Sequence, residues 1–302
     1  MKPLMEYSTA LTFLEKIEIK DAEELIGNDP LSFLGILIER YQEHLPFQCV
    51  SILAQSKEEK HVPALEEVVN AGLGLEGGLC FTLNTFMCIL LRTLGFKADV
   101  LDGSYSTHGD THTHVVVLLK DLRCADDDFI IDVGTGYPFE APISLSEVPC
   151  TRYCAGQEYR YERKGNSIWR LHRPKDELAT AGEIPIMHGE WRKMFHFDLV
   201  PVTFDHFRPY MENIYINDSS SDFHSTIRAV RFPPSRDRDQ KRIMVAFKDN
   251  TLLFGPMDAA QKTHISDEDL ADKIKENFPT IPPSKVDLAV RNWIGMKKNT
   301  EK

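Results

Sequence analysis

Gly77-Gly78-Leu79-Cys80-Phe81-Thr82-Leu83-Asn84 is the stretch on which the reading of this chain turns. A glycine pair lets backbone approach a neighbour without a Cβ clash. Beyond it, Phe86, Met87, Leu90 and Leu94 share one face of a helix expected from Thr82 to Leu94, with Gly95 as its C-terminal stop. Cys80 is thus delivered just before a helix, whose positive N-terminal end favours a thiolate over a thiol. Alone, such a cysteine reads more readily as a small core residue, because free cysteine is among the most buried residue types.

Upstream, the first hundred residues read as helical. Asp29-Pro30 is an N-cap followed by proline at the first helical position, and Leu31, Leu34, Leu37, Ile38 and Tyr41 recur at helical spacing. Downstream of Gly95 the texture changes to short strands. Ala98 to Leu101, Val115 to Leu119 and Phe129 to Val133 are apolar and largely β-branched, with polar loops such as Asp126-Asp127-Asp128 between them. Tyr159 to Glu162 and Ser167 to Leu171 flank Lys164-Gly165-Asn166 as a hairpin, and His196 to Phe204 reads as a further strand. The middle of the chain is therefore a mostly antiparallel β unit.

The last third is mixed. Ile243 to Phe247 and Thr251 to Phe254 bracket Lys248-Asp249-Asn250 as a second hairpin, and Pro233 to Gln240 reads as a solvated loop. Ser266 caps a helix carrying Leu270, Ile274 and Phe278 on one stripe, which Pro279 ends. No internal repeat or low-complexity segment interrupts the chain.

The 302 residues suffice for a sizeable core, and 42% hydrophobic with 27% charged is an ordinary globular composition. The net charge of -11, without a basic cluster flanked by aromatics, argues against a nucleic-acid partner. No apolar run reaches membrane-spanning length, and Met1 to Lys20 lacks a signal-peptide core, so no membrane role is expected. Six scattered cysteines form no disulfide framework, which points to a reducing, cytoplasmic setting. Cys150 and Cys154 lack two further ligands at comparable spacing, His172 and His188 being loosely placed, so no metal is expected.

A thiol nucleophile needs an imidazole to take its proton, and the imidazole needs a carboxylate to fix its tautomer. Among eleven histidines, His114 stands at the start of the buried strand, where a side chain is held rigidly; His112 lies two residues away on the same face but nearer the polar loop Thr107 to Thr113. Among 46 acids, Asp132 is the outlier, closing the apolar run Phe129-Ile130-Ile131-Asp132-Val133. A carboxylate there is costly unless paired, and Gly134-Thr135-Gly136 behind it admits close backbone or ligand approach. Each residue alone has a bland reading as core, backbone-satisfied ring or turn cap; the ordered set is stronger.

The order Gly77-Gly78-x-Cys80-x-x-x-Asn84, His114 before an apolar strand, and Asp132-Val133-Gly134-x-Gly136 resembles the arylamine N-acetyltransferases. Leu45-Pro46-Phe47-Gln48 is similar to that family's Pro-Phe-Glu-Asn segment, and Phe195 to Leu199 with Asp205-His206-Phe207 to its segment after the barrel. The resemblance runs from about Phe13 to about Phe278 and is nearest in texture to fungal members.

It implies an α+β fold with a cysteine-protease-like catalytic core: an N-terminal helical bundle (1–95) carrying the nucleophile, a central antiparallel β-barrel-like domain (96–205) carrying histidine and aspartate, and an interdomain segment with an α/β lid (206–302). It implies ping-pong transfer from acetyl-CoA or another acyl-CoA, such as malonyl, through a Cys80 thioester to an arylamine, hydrazine or related amine. His114 acts as base and Asp132 as orienter. Ser220, within Ser219-Ser220-Ser221, and Thr113 are the implied coenzyme A contacts; Thr135 and Phe47 are the implied walls of the acceptor pocket.

Three positions depart from the family pattern. Glu76 replaces an arginine before the glycines, Thr82 a glutamate or glutamine, and Thr135 an aromatic residue of the acceptor pocket. The third opens space and removes a stacking surface. A Cys-His-Asp amide synthase or hydrolase of secondary metabolism uses the same triad, and a catalytically weak homologue is the reading that Glu76 and Thr82 favour.

Overall fold

The computed structural model describes residues 4–105, 112–173, 178, 185–218, 220–234 and 242–300. Helices α1 (Tyr7–Lys16), α2 (Ala22–Asn28) and α3 (Pro30–His44) open the chain, and the short strand β1 (Phe47–Gln48) follows. The expected cap of α3 forms: Asp29 accepts from the Ser32 amide at 3.1 Å, and Phe33, Leu34, Leu37, Ile38 and Tyr41 turn into the core. Helices α4 (Val50–Leu53), α5 (Leu65–Leu73) and α6 (Cys80–Thr93) complete this layer. Phe13 meets Phe86 edge-on at 5.0 Å, and the Tyr41 hydroxyl donates to the Leu83 carbonyl at 2.8 Å, fixing α1 and α3 to α6. Burying rings and aliphatic chains of this size contributes on the order of 2 kcal/mol each.

The sequence placed the start of α6 at Thr82; it is two residues earlier. The amides of Thr82 and Leu83 both donate to the Leu79 carbonyl at 2.9 Å, so Leu79 is the N-cap and Cys80 the first helical residue. Every residue of α6 from Cys80 to Leu91 is buried, which makes it the central rod of the protein.

Next come β2 (Lys97–Tyr105), β3 (His114–Lys120), β4 (Phe129–Ile131), β5 (Ile143–Ser144), β6 (Cys150–Cys154), β7 (Gln157–Lys164), β8 (Ser167–His172), β9 (Met187–His188) and β10 (Trp191–Val202). They form one antiparallel sheet in the order β5-β4-β3-β2-β10-β8-β7-β6, with β9 on β10; this is the expected β-barrel-like unit. The β2–β3 ladder sets Gly103 opposite His114 and Asp102 opposite Val115. Strand β4 ends one residue before Asp132, because the Val133 amide leaves the ladder to donate to the Asn84 side chain. His112 does not share the β3 face as expected; it precedes the strand with φ near +52° and turns aside.

Helix α7 (Arg208–Tyr215) leads to β11 (Arg228–Arg231), β12 (Met244–Lys248), β13 (Thr251–Gly255) and β14 (Gln261–His264), then α8 (Leu270–Asn277) and α9 (Pro283–Thr300). These strands form a second antiparallel sheet whose edge is β1, with Phe47 opposite Val230. The second hairpin stands as expected; the Asp269 amide donates to Ser266 Oγ at 3.2 Å, but this bond closes the turn before α8, whose N-cap is Asp269 without a side-chain cap bond. Helix α9 was not read from the sequence. It lies back on the first layer, where Asn292 donates to the Leu53 carbonyl at 2.9 Å and Trp293 to the Ser225 carbonyl at 2.8 Å. Most of the expected solvated loop, residues 235–240, lies outside the described residues, as do Ser219 and residues 106–111. Among the described residues, no helix is long and apolar enough to cross a membrane.

Candidate active site

The glycine pair acts through a contact with β1. Gly78 donates to the Pro46 carbonyl at 3.1 Å and accepts from the Gln48 amide at 3.0 Å. Gly77 has φ near +75°, and a Cβ there would fall 2.0 Å from the Pro46 oxygen, so no other residue fits. This bridge fixes the chain entering α6 and with it Cys80, which is 7% exposed and donates its S–H to the Thr113 carbonyl at 3.4 Å.

Asn84, one turn along α6, ties the helix that bears Cys80 to the loop after β4. Its amide nitrogen donates to Asp132 Oδ1 at 2.8 Å and to the Val115 carbonyl at 2.5 Å, while its oxygen accepts from the Val133 amide at 2.9 Å. A Cβ at Gly134 would come within 2.7 Å of Asn84 and 2.9 Å of Cys80 Cα, which explains the glycine after the aspartate. The structure therefore brings together Cys80, His114 and Asp132 from α6, β3 and the loop after β4.

Asp132 and His114 are fully buried, with Asp132 Oδ2 3.1 Å from His114 Nε2. Burial alone pulls the imidazole down; the Asp132 charge and hydrogen bond, aided by the Cys80 sulfur, outweigh it and raise His114 to about 9. Burial pushes the Asp132 carboxyl up, and His114, Arg170 and Asn84 more than reverse this, holding it below its ordinary value. With Nε2 taken by the carboxylate, Nδ1 is the nitrogen left toward the Cys80 sulfur, whose interaction with the ring helps to raise it. Phe195 at 4.4 Å and Tyr105 at 5.4 Å clamp the ring.

Sequence reasoning missed Arg170. It is fully buried, with Nη1 3.6 Å from Asp132 Oδ2 and the guanidinium 4.6 Å over the Tyr159 ring. Its Nε donates to His172 Nε2 at 2.9 Å, and its Nη2 to the Pro138 carbonyl at 2.9 Å. Burial, with Arg170 and Arg192 nearby, holds His172 well below its ordinary value, so this ring stays neutral and accepts that hydrogen bond. The available signal was alternation: Ile168 and Arg170 share the inward face of β8, and a charge at an inward position needs a partner.

Phe47 lies against the loop that follows Asp132, since a Cβ on Gly136 would meet its ring at 2.9 Å. Thr135 is buried, but its hydroxyl accepts from the Tyr137 amide at 3.2 Å and so closes its own turn. Thr113 supplies its carbonyl to Cys80. Ser220 lies exposed on the turn after α7, its amide donating to Asn217. Among the described residues, no hydrogen bond joins Ser220 to the triad.

Glu76 is engaged through one carboxylate oxygen, Oε1. It accepts from Ser51 Oγ and from Lys285 Nζ of α9, each at 2.6 Å. The charge reversal before the glycines is thus matched by a cation from the C-terminal helix. A cavity of about 310 Å³ borders Gly77, Gly78, Leu79, Thr82, Glu76 and Lys285; Cys80, His114 and Asp132 do not line it. In a double-mutant cycle, Glu76→Gln and Lys285→Met should couple by about 0.5–1 kcal/mol in denaturant unfolding, a range discounted for the half-exposed lysine. Additive effects would mean that α9 does not hold the loop before Cys80 through this pair.

The architecture is an α+β fold with a cysteine-protease-like core, in which a helix-borne cysteine faces a histidine at a strand start and an aspartate in the loop after the next strand. The chain belongs to the arylamine N-acetyltransferase family: a family profile described as N-acetyltransferase matches residues 31–280. Similar solved structures include the arylamine N-acetyltransferase of Mycobacterium marinum in complex with CoA, at 16% identity, 92% coverage of this chain and 97% of that chain, with a TM-score of 0.72. The enzyme from Salmonella typhimurium gives 17% identity, 95% and 99% coverage and a TM-score of 0.72. An uncharacterized acetyltransferase, YvcN of Bacillus subtilis, is 30% identical over 140 residues, 42% of this chain. The chain spans about half the length of that relative, 52%.

Proposed function

We propose that this protein is an acyl-CoA-dependent N-acyltransferase working through a Cys80 thioester. The observation that carries the reading is the placement of Cys80 at the first position of α6, facing the buried His114–Asp132 pair.

In the first half-reaction, His114 Nδ1 takes the Cys80 proton and the sulfur attacks the thioester carbonyl of acyl-CoA. The carbon–sulfur bond to coenzyme A breaks, and the leaving thiolate collects the proton from His114. Exchange of one thioester for another is near isoenergetic, so positioning and proton transfer suffice. In the second half-reaction an amine attacks acyl-Cys80; His114 accepts the amine proton and returns it to the departing sulfur. Asp132 holds Nε2 throughout, and Arg170, oriented by His172, holds Asp132. The family and the CoA-bound relative from Mycobacterium marinum support acetyl-CoA or a similar donor. Ser220 and Thr113 are the proposed cofactor contacts, and Phe47 and Thr135 the proposed walls of the acceptor pocket. With threonine in place of an aromatic ring, the pocket favours amines broader than a simple arylamine.

Intact mass spectrometry with acetyl- and malonyl-CoA tests the reading. The expected result is one acyl adduct on Cys80 that persists without amine and is discharged when an arylamine or hydrazine is added. Rapid discharge by water alone would make the protein a thioester hydrolase, and no adduct from either donor would overturn the proposal.

A further inference from the structure

Beside the triad, on the other side of β3, lies a cluster that the acyl-transfer chemistry does not use. Asp102 Oδ2 is 2.5 Å from His112 Nδ1 and 2.7 Å from His206 Nε2, and the three ligand atoms lie within 4.8 Å of one another. Asp102 is held on β2 by the ladder to Val115, and its side chain is 16% exposed. Its second oxygen, Oδ1, is buried and has no hydrogen-bond partner among the described residues. A buried carboxylate oxygen left in this way is costly.

His112 adopts a left-handed backbone, φ near +52°, which is uncommon for a residue with a side chain. The conformation is fixed from two sides: its amide donates to Ser104 Oγ at 3.1 Å, and Tyr210 lies 4.4 Å from its ring. That geometry aims Nδ1 at Asp102 and away from the β3 face. His206 reaches the same oxygen from the turn before α7, with its ring edge-on to His112 at 5.9 Å. Strand β2 supplies Asp102, the segment entering its neighbour β3 supplies His112, and His206 joins them from 104 residues beyond Asp102, so two imidazoles and a carboxylate converge on one point.

We infer that Asp102, His112 and His206 form a binding site for a divalent transition ion of the zinc type. Two imidazole nitrogens with one carboxylate oxygen are the donor set that zinc, cobalt(II) and iron(II) take, whereas magnesium and calcium prefer oxygen alone. An ion at about 2.0–2.2 Å from each ligand atom requires the two imidazoles to move a fraction of an ångström away from the shared oxygen and toward each other, the three atoms now lying within 4.8 Å of one another. The ion stands outside the acyl-transfer chemistry, which needs only the thiol, the imidazole and the carboxylate. Its position matters all the same: His112 is two residues from His114, and Phe207, next to His206, packs against Phe81 beside Cys80 at 5.5 Å. An ion there ties the start of β3 to the turn before α7 at the edge of the site.

Cobalt(II) is the probe, because its visible absorption reports the ligands directly. Titration of the purified protein should give one equivalent of tightly bound cobalt, displaced by zinc and not by magnesium, with no sulfur-to-cobalt charge-transfer band. Cys80→Ser should bind it equally well, and His112→Gln and His206→Gln should each weaken it by at least about 10- to 100-fold, the cost of losing even an outer-sphere partner. His206 is partly exposed, so its replacement spares the core. Loss of binding in Cys80→Ser, or undiminished binding in both histidine variants, would overturn the assignment.

Discussion

Cys80→Ser should fold normally and carry no acyl group. The substitution keeps a small side chain at a 7% exposed position, where a hydroxyl can donate to the Thr113 carbonyl as the thiol does. The thermal midpoint should therefore move by no more than a few degrees, as for a change of about 1 kcal/mol or less. Activity is another matter. A hydroxyl does not ionise against His114 as a thiol does, and removing the nucleophile of a catalytic triad costs about 10⁶-fold in turnover where the group acts as a unit. Intact mass with acetyl-CoA should show unmodified protein. An adduct that moved to another cysteine would mean that the nucleophile is misassigned, but the alternatives are poor. Burial raises the Cys49 thiol to about 11 despite the offset from Arg228, and raises Cys88 to about 12 despite Arg92. Burial likewise raises the Cys150 and Cys154 thiols, and among the described residues no hydrogen bond joins the exposed Cys124 to His114 or Asp132.

The grouping of Cys80, His114 and Asp132 was legible because each breaks a local rule in a way sequence displays. Cys80 follows two glycines, His114 begins an apolar strand, and Asp132 ends one. Apolar, largely β-branched runs located the sheet and period-3.6 spacing located α3 and α8, since both patterns are written in neighbouring residues. What stayed hidden depends on partners distant in the chain. Arg170 looks like an ordinary strand charge until β8 is known to turn it inward under Asp132. Glu76 looks like an impaired substitution until α9 brings Lys285 to it from 209 residues away. Helix α9, by contrast, was written in the sequence and passed over: Val286, Ala289, Val290 and Trp293 recur at helical spacing and are all buried. His112 was misplaced for a related reason: two-residue spacing implies a shared face only while the backbone is extended, and the left-handed turn at His112 cancels that.

Asp132→Asn is expected to remove most of the activity while leaving Cys80 in place. An asparagine can match the carboxylate's shape, but its amide nitrogen facing Nε2 makes that atom the acceptor and leaves the proton on Nδ1, the nitrogen that must take the thiol's. Wrong-tautomer variants of comparable triads lose about 10⁴-fold in turnover, and acylation by acetyl-CoA should fall by a similar factor. Near-normal acylation would take Asp132 out of the mechanism. The same variant should change the pH dependence of stability. His114 is raised from 6.5 to about 9 in the folded protein, burial opposing and Asp132 leading the increase. A raised folded value stabilises fully below about 6.5, and that contribution is lost as the pH rises through about 9. The span of 2.5 pH units corresponds to about 3 kcal/mol at most. In Asp132→Asn the carboxylate is gone and burial is left to pull the imidazole down, so this contribution vanishes. The stability gap between wild type and variant in urea should therefore narrow between pH 6.5 and 9.5. Arg170, buried and deprived of its carboxylate, adds a penalty that does not change across this range, since its guanidinium remains charged. A gap that stayed constant would show that the Asp132 charge does not set the protonation of His114, and with it would go the argument that this pair is poised to take the proton from Cys80.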